Sequence, residues 1–357
     1  MSLRDSLLRR IAAEGPMTLA DYMRACLFDP DHGYYATRDP LGAAGDFTTA
    51  PEISQMYGEM LGLCLAQAWI DQCAPSPFTL AELGPGRGTL MADILRVVRA
   101  VPGFLDAADL HLVEASPTLR ARQAEALAGH APTWHDTVDG LPDAPLFLVA
   151  NEFFDALPIR QFRRDGTGWR ETMVSAEGEA LRLALSPATP HAKLAERLED
   201  TDDGDIVELC QPAATMAQAI GQRIETHGGA ALIVDYGDWR SLGDTFQALR
   251  GHDHADPLAD PGAADLTAHV DFEALARATP SAHSLLTTQG VFLERLGITQ
   301  RAERLAAGLS GDALASHVAA HRRLTHPAEM GTLFKVLAFY PHTVAPPPGL
   351  EAAGQAQ

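Results

Sequence analysis

Cysteine is scarce and scattered. Cys26, Cys64, Cys73 and Cys210 are the only four, and no two form a C-x-x-C pair. Neither a zinc site nor a disulfide framework is therefore expected, and a reducing compartment is the default. Basic residues are also few: 27 Lys and Arg stand against 47 Asp and Glu, a formal net charge of −20. That balance argues against a nucleic-acid partner, because proteins that grip phosphate backbones carry basic surfaces. It suits solubility, or a cationic partner. No apolar run of about 18 residues occurs, so no membrane span is expected. The 14 histidines include no H-E-x-x-H pair, which leaves metal catalysis without sequence support. Arg4, Arg9 and Arg10 lie near the N-terminus, but Asp5 and Glu14 interrupt them and no long apolar stretch follows. Neither a signal nor a transit peptide is read, and a bacterial cytoplasmic location is expected.

What is present is a chain of 357 residues, 46% hydrophobic, enough for a sizeable core in one elaborated domain or two. Leu3 to Gly15 reads as a helix, and Thr18 caps a second from Leu19 to Cys26. Turn-rich segments follow at 29–35 and 42–51. From Glu52 to Gln72 apolar residues recur at helical spacing (Ile53, Met56, Tyr57, Met60, Leu61, Cys64, Leu65), the pattern of a core-packed helix.

Strands and helices then alternate, the signature of a parallel α/β sheet. The strands are expected at Thr79–Leu83, Leu110–Glu114, Thr133–His135, Leu146–Ala150, Ala230–Asp235, His283–Gln289 and Leu333–Tyr340. Helices are expected at 89–101, 116–127 and 211–227, with two more between Arg301 and Arg323. Short alternating runs between Arg160 and about Asp205 suggest an inserted β-hairpin unit. The expected layout is an N-terminal helical cover over 1–75, then a main α/β domain over 76–343 with insertions at about 160–205 and 291–330. A flexible Pro/Gly/Ala-rich tail closes it over 344–357. No internal repeats occur.

The most informative stretch is Thr79-Leu-Ala-Glu-Leu-Gly-Pro-Gly-Arg-Gly-Thr-Leu90. A strand, an acid and three glycines lead into a helix whose free N–H groups point back at a ligand. Gly84, Gly86 and Gly88 allow close backbone approach. A dinucleotide fingerprint reads G-x-G-x-x-G, whereas here the spacing is G-x-G-x-G with Glu82 just before it. An acid there is a poor neighbour for a pyrophosphate and suits a ligand carrying an ammonium or sulfonium. S-adenosylmethionine (SAM) carries both. Glu114, at the end of the second strand and followed by Ser116, is placed to hydrogen-bond ribose hydroxyls; NAD has such a ribose too, so Glu82 is the discriminating residue.

Asn151-Glu-Phe-Phe-Asp-Ala-Leu-Pro158 directly follows the fourth strand and puts Asn151, Glu152 and Asp155 beside the cofactor crevice. An amide next to two carboxylates can orient a nitrogen nucleophile, and a guanidinium asks for planar carboxylate partners; Asn151 and Asp155 as helix caps is the competing reading. Gly45-Asp-Phe-Thr-Thr-Ala-Pro-Glu52 is too polar for packing alone. Thr49 can cap a helix with Pro51 in its first turn, and such a terminus is also an anion site for the SAM carboxylate, with Thr48 beside it. Asp136, after the third strand, lies near the adenine amine or is a solvated loop acid. Asp235-Tyr-Gly237 and Asp265-Leu-Thr-Ala-His-Val-Asp-Phe272 are candidate substrate walls. His269 is either a base or a hydrogen-bonded structural group.

The ordered set Gly33-Tyr-Tyr35, Gly45-Asp-Phe-Thr-Thr-Ala-Pro-Glu-Ile-Ser54, Glu82-Leu-Gly-Pro-Gly-Arg-Gly-Thr-Leu-Met91, Val113-Glu-Ala-Ser-Pro117, Asn151–Pro158, Asp235-Tyr-Gly237, Gly243-Asp-Thr245 and Asp265–Phe272 resembles the MidA-type SAM-dependent methyltransferases. The resemblance runs from about Leu3 to Tyr340. It implies a class I methyltransferase fold, a Rossmann-like and mostly parallel seven-stranded sheet with an N-terminal helical extension and inserted β-hairpin and helical elements. It also implies N-methylation, to the dimethyl form, of an arginine on a protein such as a respiratory complex I core subunit. On that reading Asn151, Glu152, Asp155 and Asp46 hold the acceptor. The cofactor is bound by Glu82, Gly84, Gly86, Gly88, Glu114, Ser116, Asp136, Thr48 and Thr49. The alternative is a SAM-binding assembly chaperone without turnover.

Overall fold

The computed structural model describes residues 2–37, 49–251 and 253–354. Two N-terminal helices, α1 (Leu3–Glu14) and α2 (Leu19–Phe28), each begin at a hydroxyl cap. Ser2 forms a capping box with Asp5, and Thr18 accepts from the Asp21 N–H, so orphan donors of the first turn are satisfied. Their apolar faces (Leu3, Leu7, Leu19, Met23) pack with Val174 and Leu181 of a five-stranded antiparallel sheet. That sheet joins Met17–Thr18 to the strands Gly168–Glu177, Arg160–Asp165, Ile206–Leu209 and Ala180–Leu185. The expected hairpin unit is thus a sheet of its own, completed by two residues from the N-terminus.

The central sheet uses β1 (Phe78–Leu83), β2 (Ala108–Val113), β3 (Thr133–His135), β4 (Leu146–Asn151), β5 (Gly229–Asp238) and β6 (Phe334–Tyr340). Its order is β3-β2-β1-β4-β5-β6, with Ala282–His283 at the far edge. β1 to β5 run parallel and β6 is antiparallel to β5. Both faces are covered, so the strands read as continuous apolar runs. In β4, alternate side chains serve opposite cores: Phe147 and Val149 pack against α3 (Gln55–Asp71) and α4 (Thr89–Val98). Leu146, Leu148 and Ala150 instead face the side of α6 (Gln211–His227) and α7 (Phe272–Ala278). All five are fully buried, and each large one contributes at most about 1.5–3 kcal/mol of hydrophobic stabilisation. Further helices are α5 (Pro117–Ala126), between β2 and β3, and α8 (Gln289–Arg295), α9 (Ile298–Ala306) and α10 (Gly311–Thr325), before β6.

Three expectations are corrected. The helix over Glu52–Gln72 is interrupted: Ala50–Ile53 forms a single turn, and Ser54 turns extended (φ −161, ψ 135). Ser54 then caps α3 by accepting from the Met56 N–H. The strand over His283–Gln289 is two fragments, Ala282–His283 and Thr287–Thr288, with Gln289 already starting α8. The reason lies in the C-terminal segment, which is not flexible through residue 354. The Leu285 N–H donates to Glu351 O at 2.7 Å and the Ala353 N–H to His283 O at 3.2 Å, so the tail takes ladder positions there. Leu350 is buried in the core with Phe292, and Cys64 Sγ donates to Pro348 O at 3.4 Å. In addition α3, grouped by sequence with the N-terminal cover, sends Tyr57, Leu61 and Leu65 into the core of the central sheet.

Candidate functional site

At the carboxyl end of β1 the backbone turns through Gly84 (φ +59), Gly86 (φ +54) and Gly88 (φ +85), all in the left-handed region that disfavours any side chain. A Cβ on Gly84 would lie 2.7 Å from the Phe153 ring. Gly88 caps α4, whose first-turn N–H groups face the turn. Gln123, fully buried on α5, donates to Gly86 O at 2.8 Å and to Glu114 Oε2 at 3.2 Å while accepting from the Trp134 indole at 2.8 Å. It fastens the glycine turn to the second strand, a role that a single glutamine on an amphipathic helix does not advertise in sequence.

Glu82 lies beneath this turn at 3% exposure. Burial pushes its carboxyl up to about 8; the Met91 N–H opposes the shift and Glu114 adds to it. Among the described residues its Oε2 has no partner, an arrangement that is costly unless another group answers it. Glu114 ends β2, buried, and accepts from the Ser116 N–H at 2.8 Å; burial raises its pKa as well. The Ser116 hydroxyl caps α5 by accepting from the Leu119 N–H. Asp136 stands apart: its side chain is 84% exposed and pairs with Arg120 at 2.6 Å.

At the end of β4, Glu152 adopts φ +52, a left-handed conformation that costs a non-glycine residue about 1 kcal/mol or more. Asn151 Nδ2 donates to Glu152 Oε1 at 3.0 Å and the Ala50 N–H donates to the same oxygen at 3.2 Å. Tyr57 donates its hydroxyl to Asn151 Oδ1. Burial pushes Glu152 up to about 7, with nearby Asp155 raising it further and the Ala50 and Asn151 donors opposing. Asp155 is buried, with one carboxylate oxygen unpartnered among the described residues; burial raises its pKa, and a hydrogen bond from Tyr236 works the other way. Thus neither Asn151 nor Asp155 spends its side chain capping a helix. Thr49 occupies the cap position of the turn Ala50–Ile53 without a side-chain bond. Asp46 and Thr48 lie outside the described residues.

Gly84, Gly86, Glu114, Ser116 and Glu152 line one cavity of about 490 Å³, closed from the N-terminal region by Phe28, Pro30 and Tyr35. Of the candidate walls, Asp265 accepts from the Tyr35 hydroxyl at 2.9 Å. Asp235, fully buried, turns under the Asn151–Asp155 segment. His269 is exposed, its ring edge-on to Tyr236 at 5.4 Å, away from the cavity lining. Among the described residues the one metal-like cluster, Asp29, Asp31 and His32, is mostly exposed. Tyr57 and Gln123 are the participants that sequence reasoning missed. Tyr57 fits the apolar periodicity of its helix and is indistinguishable from core there.

The strand order, the crevice at the carboxyl ends and the glycine turn define a class I SAM-dependent methyltransferase. SAM fits the groups present: Gly84, Gly86, Glu114 and Ser116 line the crevice, Glu114 is available to a diol, and Glu82 is a buried acid beneath the glycine turn, outside that lining. A family model described as "Putative S-adenosyl-L-methionine-dependent methyltransferase" matches residues 60–291, and the chain belongs to that family. The protein arginine methyltransferase NDUFAF7, mitochondrial, of Xenopus laevis is 38% identical over 374 residues, covering 96% of this chain and 85% of that one. The human protein of the same name is 36% identical, covering 94% and 82%. A Burkholderia thailandensis crystal structure of a candidate methyl transferase bound to S-adenosyl-homocysteine superposes with a TM-score of 0.85 at 29% identity, covering 99% of this chain and 96% of that one. No helix among the described residues is long and apolar enough to cross a membrane.

Proposed function

We propose that this protein methylates an arginine side chain of a protein substrate, a core subunit of respiratory complex I being the first candidate. The supporting relatives carry the name protein arginine methyltransferase across nearly the whole chain. The observation that carries the reading is Glu152, bonded by Asn151 and held in a strained conformation at a strand end on the wall of the cofactor cavity. Bound SAM supplies an electrophilic methyl group. Gly84, Gly86 and Gly88 would admit it, Glu114 would hold its ribose and Glu82, beneath the turn, its ammonium, with Ser116 fixing the turn beside it. Glu152 accepts hydrogen bonds from the guanidinium, presents one nitrogen in line, and takes up the proton released as that nitrogen gains carbon. A carboxyl poised near 7 is suited to hold and return a proton at neutral pH. Asp155 adds a second negative charge for the delocalised cation. Catalysis is then mainly positioning. The four free cysteines agree with a reducing compartment, for which a bacterial cytoplasm is the proposal.

The test is transfer of labelled methyl from SAM to the purified 49-kDa-type core subunit of NADH dehydrogenase. The wild-type chain should label arginine. Glu152→Gln should lower turnover at least about 100-fold while leaving SAM affinity within a few-fold. A large loss of SAM binding would instead make Glu152 a cofactor residue. A SAM-binding chaperone would label nothing.

A further inference from the structure

Tyr57 is fully buried on α3, where a phenylalanine would fill nearly the same volume. Its hydroxyl is costly there unless paired, and it is paired with Asn151 Oδ1. With that oxygen taken, Asn151 turns its Nδ2 toward Glu152 Oε1; a flipped amide would set two oxygens face to face at 3.0 Å. The rotation of the Glu152 carboxylate is thus fixed from a residue two contacts away.

The backbone is held as firmly. Asp235, on β5, accepts through Oδ2 from the N–H groups of Phe153 (3.2 Å), Phe154 (2.9 Å) and Asp155 (3.3 Å). Its Oδ1 accepts from the Tyr236 N–H at 3.0 Å. The Glu152 N–H donates to Val234 O at 2.9 Å. These bonds close the turn directly after the left-handed Glu152, and a conformation of that kind persists only where its surroundings over-determine it.

We infer that Tyr57 and Asp235 are positioning residues for Glu152: Tyr57 sets the carboxylate through Asn151, and Asp235 holds the turn that carries it to the cavity wall. The inference rests on Glu152 serving the acceptor. The other charged or titratable groups bearing on Glu152 are Asp155 on the same turn and Arg323 from α10, with Asp235 on β5; Tyr57 is influenced by Glu82 on β1 as well. Losing the Asn151 donor weakens the ionised form of Glu152, so its titration midpoint moves up.

The experiment compares wild type, Tyr57→Phe and Asp235→Asn as full chains. One arm follows the Glu152 carboxyl resonance against pH in 13C-glutamate-labelled protein saturated with S-adenosylhomocysteine. The other follows methyl transfer to the 49-kDa-type core subunit against pH. For Tyr57→Phe, S-adenosylhomocysteine affinity and acceptor KM should stay within about threefold, kcat should fall about 10- to 100-fold, and the Glu152 midpoint should rise together with the acidic limb of kcat. An unmoved midpoint with unchanged kcat overturns the assignment. Asp235→Asn should likewise lower kcat, but without the rise in the Glu152 midpoint, because it also removes a neighbouring acid; if it does not fold, Tyr57→Phe decides alone. Should the wild type transfer nothing, the arginine reading fails while the resonance arm still judges the positioning role.

Discussion

Glu82 and Glu152 stand at the ends of adjacent strands, and both are pushed toward neutrality by burial. They differ in what answers them. Glu152 has donors from Asn151 and Ala50 already in place, whereas one oxygen of Glu82 has none among the described residues. A group whose folded pKa is near 8, against about 4.5 unfolded, binds a proton in the folded chain through that window. Its contribution to stability is therefore greatest at low pH and declines as pH rises from about 4.5 to 8. An ammonium placed against Glu82 reverses the preference and expels the proton. Calorimetric titration of SAM near pH 7 in buffers of different ionisation enthalpy should show net proton release attributable to Glu82, absent in Glu82→Gln, and SAM affinity should strengthen as pH climbs from 6 toward 8. Heats that ignore the buffer would place the cofactor's cation elsewhere.

Among the elements, those whose signals are local were legible. Gln211–His227 and Thr133–His135 were expected with the boundaries observed, because a proline in the first turn and flanking turn residues mark them. The glycine turn and the Asn151–Asp155 segment were equally readable, since φ above zero and polar residues at a strand end leave a trace in composition. The broken strand at 282–288 and the docked tail were not. The fragments pair with β6 and, between them, His283 and Leu285 bond the tail, and no local pattern reports pairings that distant. Tyr57 was hidden for a related reason: helical periodicity records that a residue is buried but not what its hydroxyl touches. The tail is therefore a structural strap, with Leu350 as its anchor at 8% exposure. Leu350→Ala should cost about 2–4 kcal/mol, read as a fall of several degrees in melting temperature, with SAM affinity at saturating folded protein unchanged. A variant melting like wild type would show that the strap carries no stability.

At the scale of the molecule, two of the three sheets bear on the site. The central sheet brings the ends of β1, β2 and β4 to one crevice, and α2, braced on the smaller sheet, with the segment after it brings Phe28, Pro30 and Tyr35 to the crevice wall. A chain of net charge −20 draws cations toward such a crevice, in keeping with an arginine acceptor. The most direct test is mass spectrometry of the complex I 49-kDa-type core subunit from cells with and without this protein. A methylated arginine present in the first and lost in the second is the outcome expected of an arginine methyltransferase. An identical, unmethylated arginine set in both would contradict that substrate assignment.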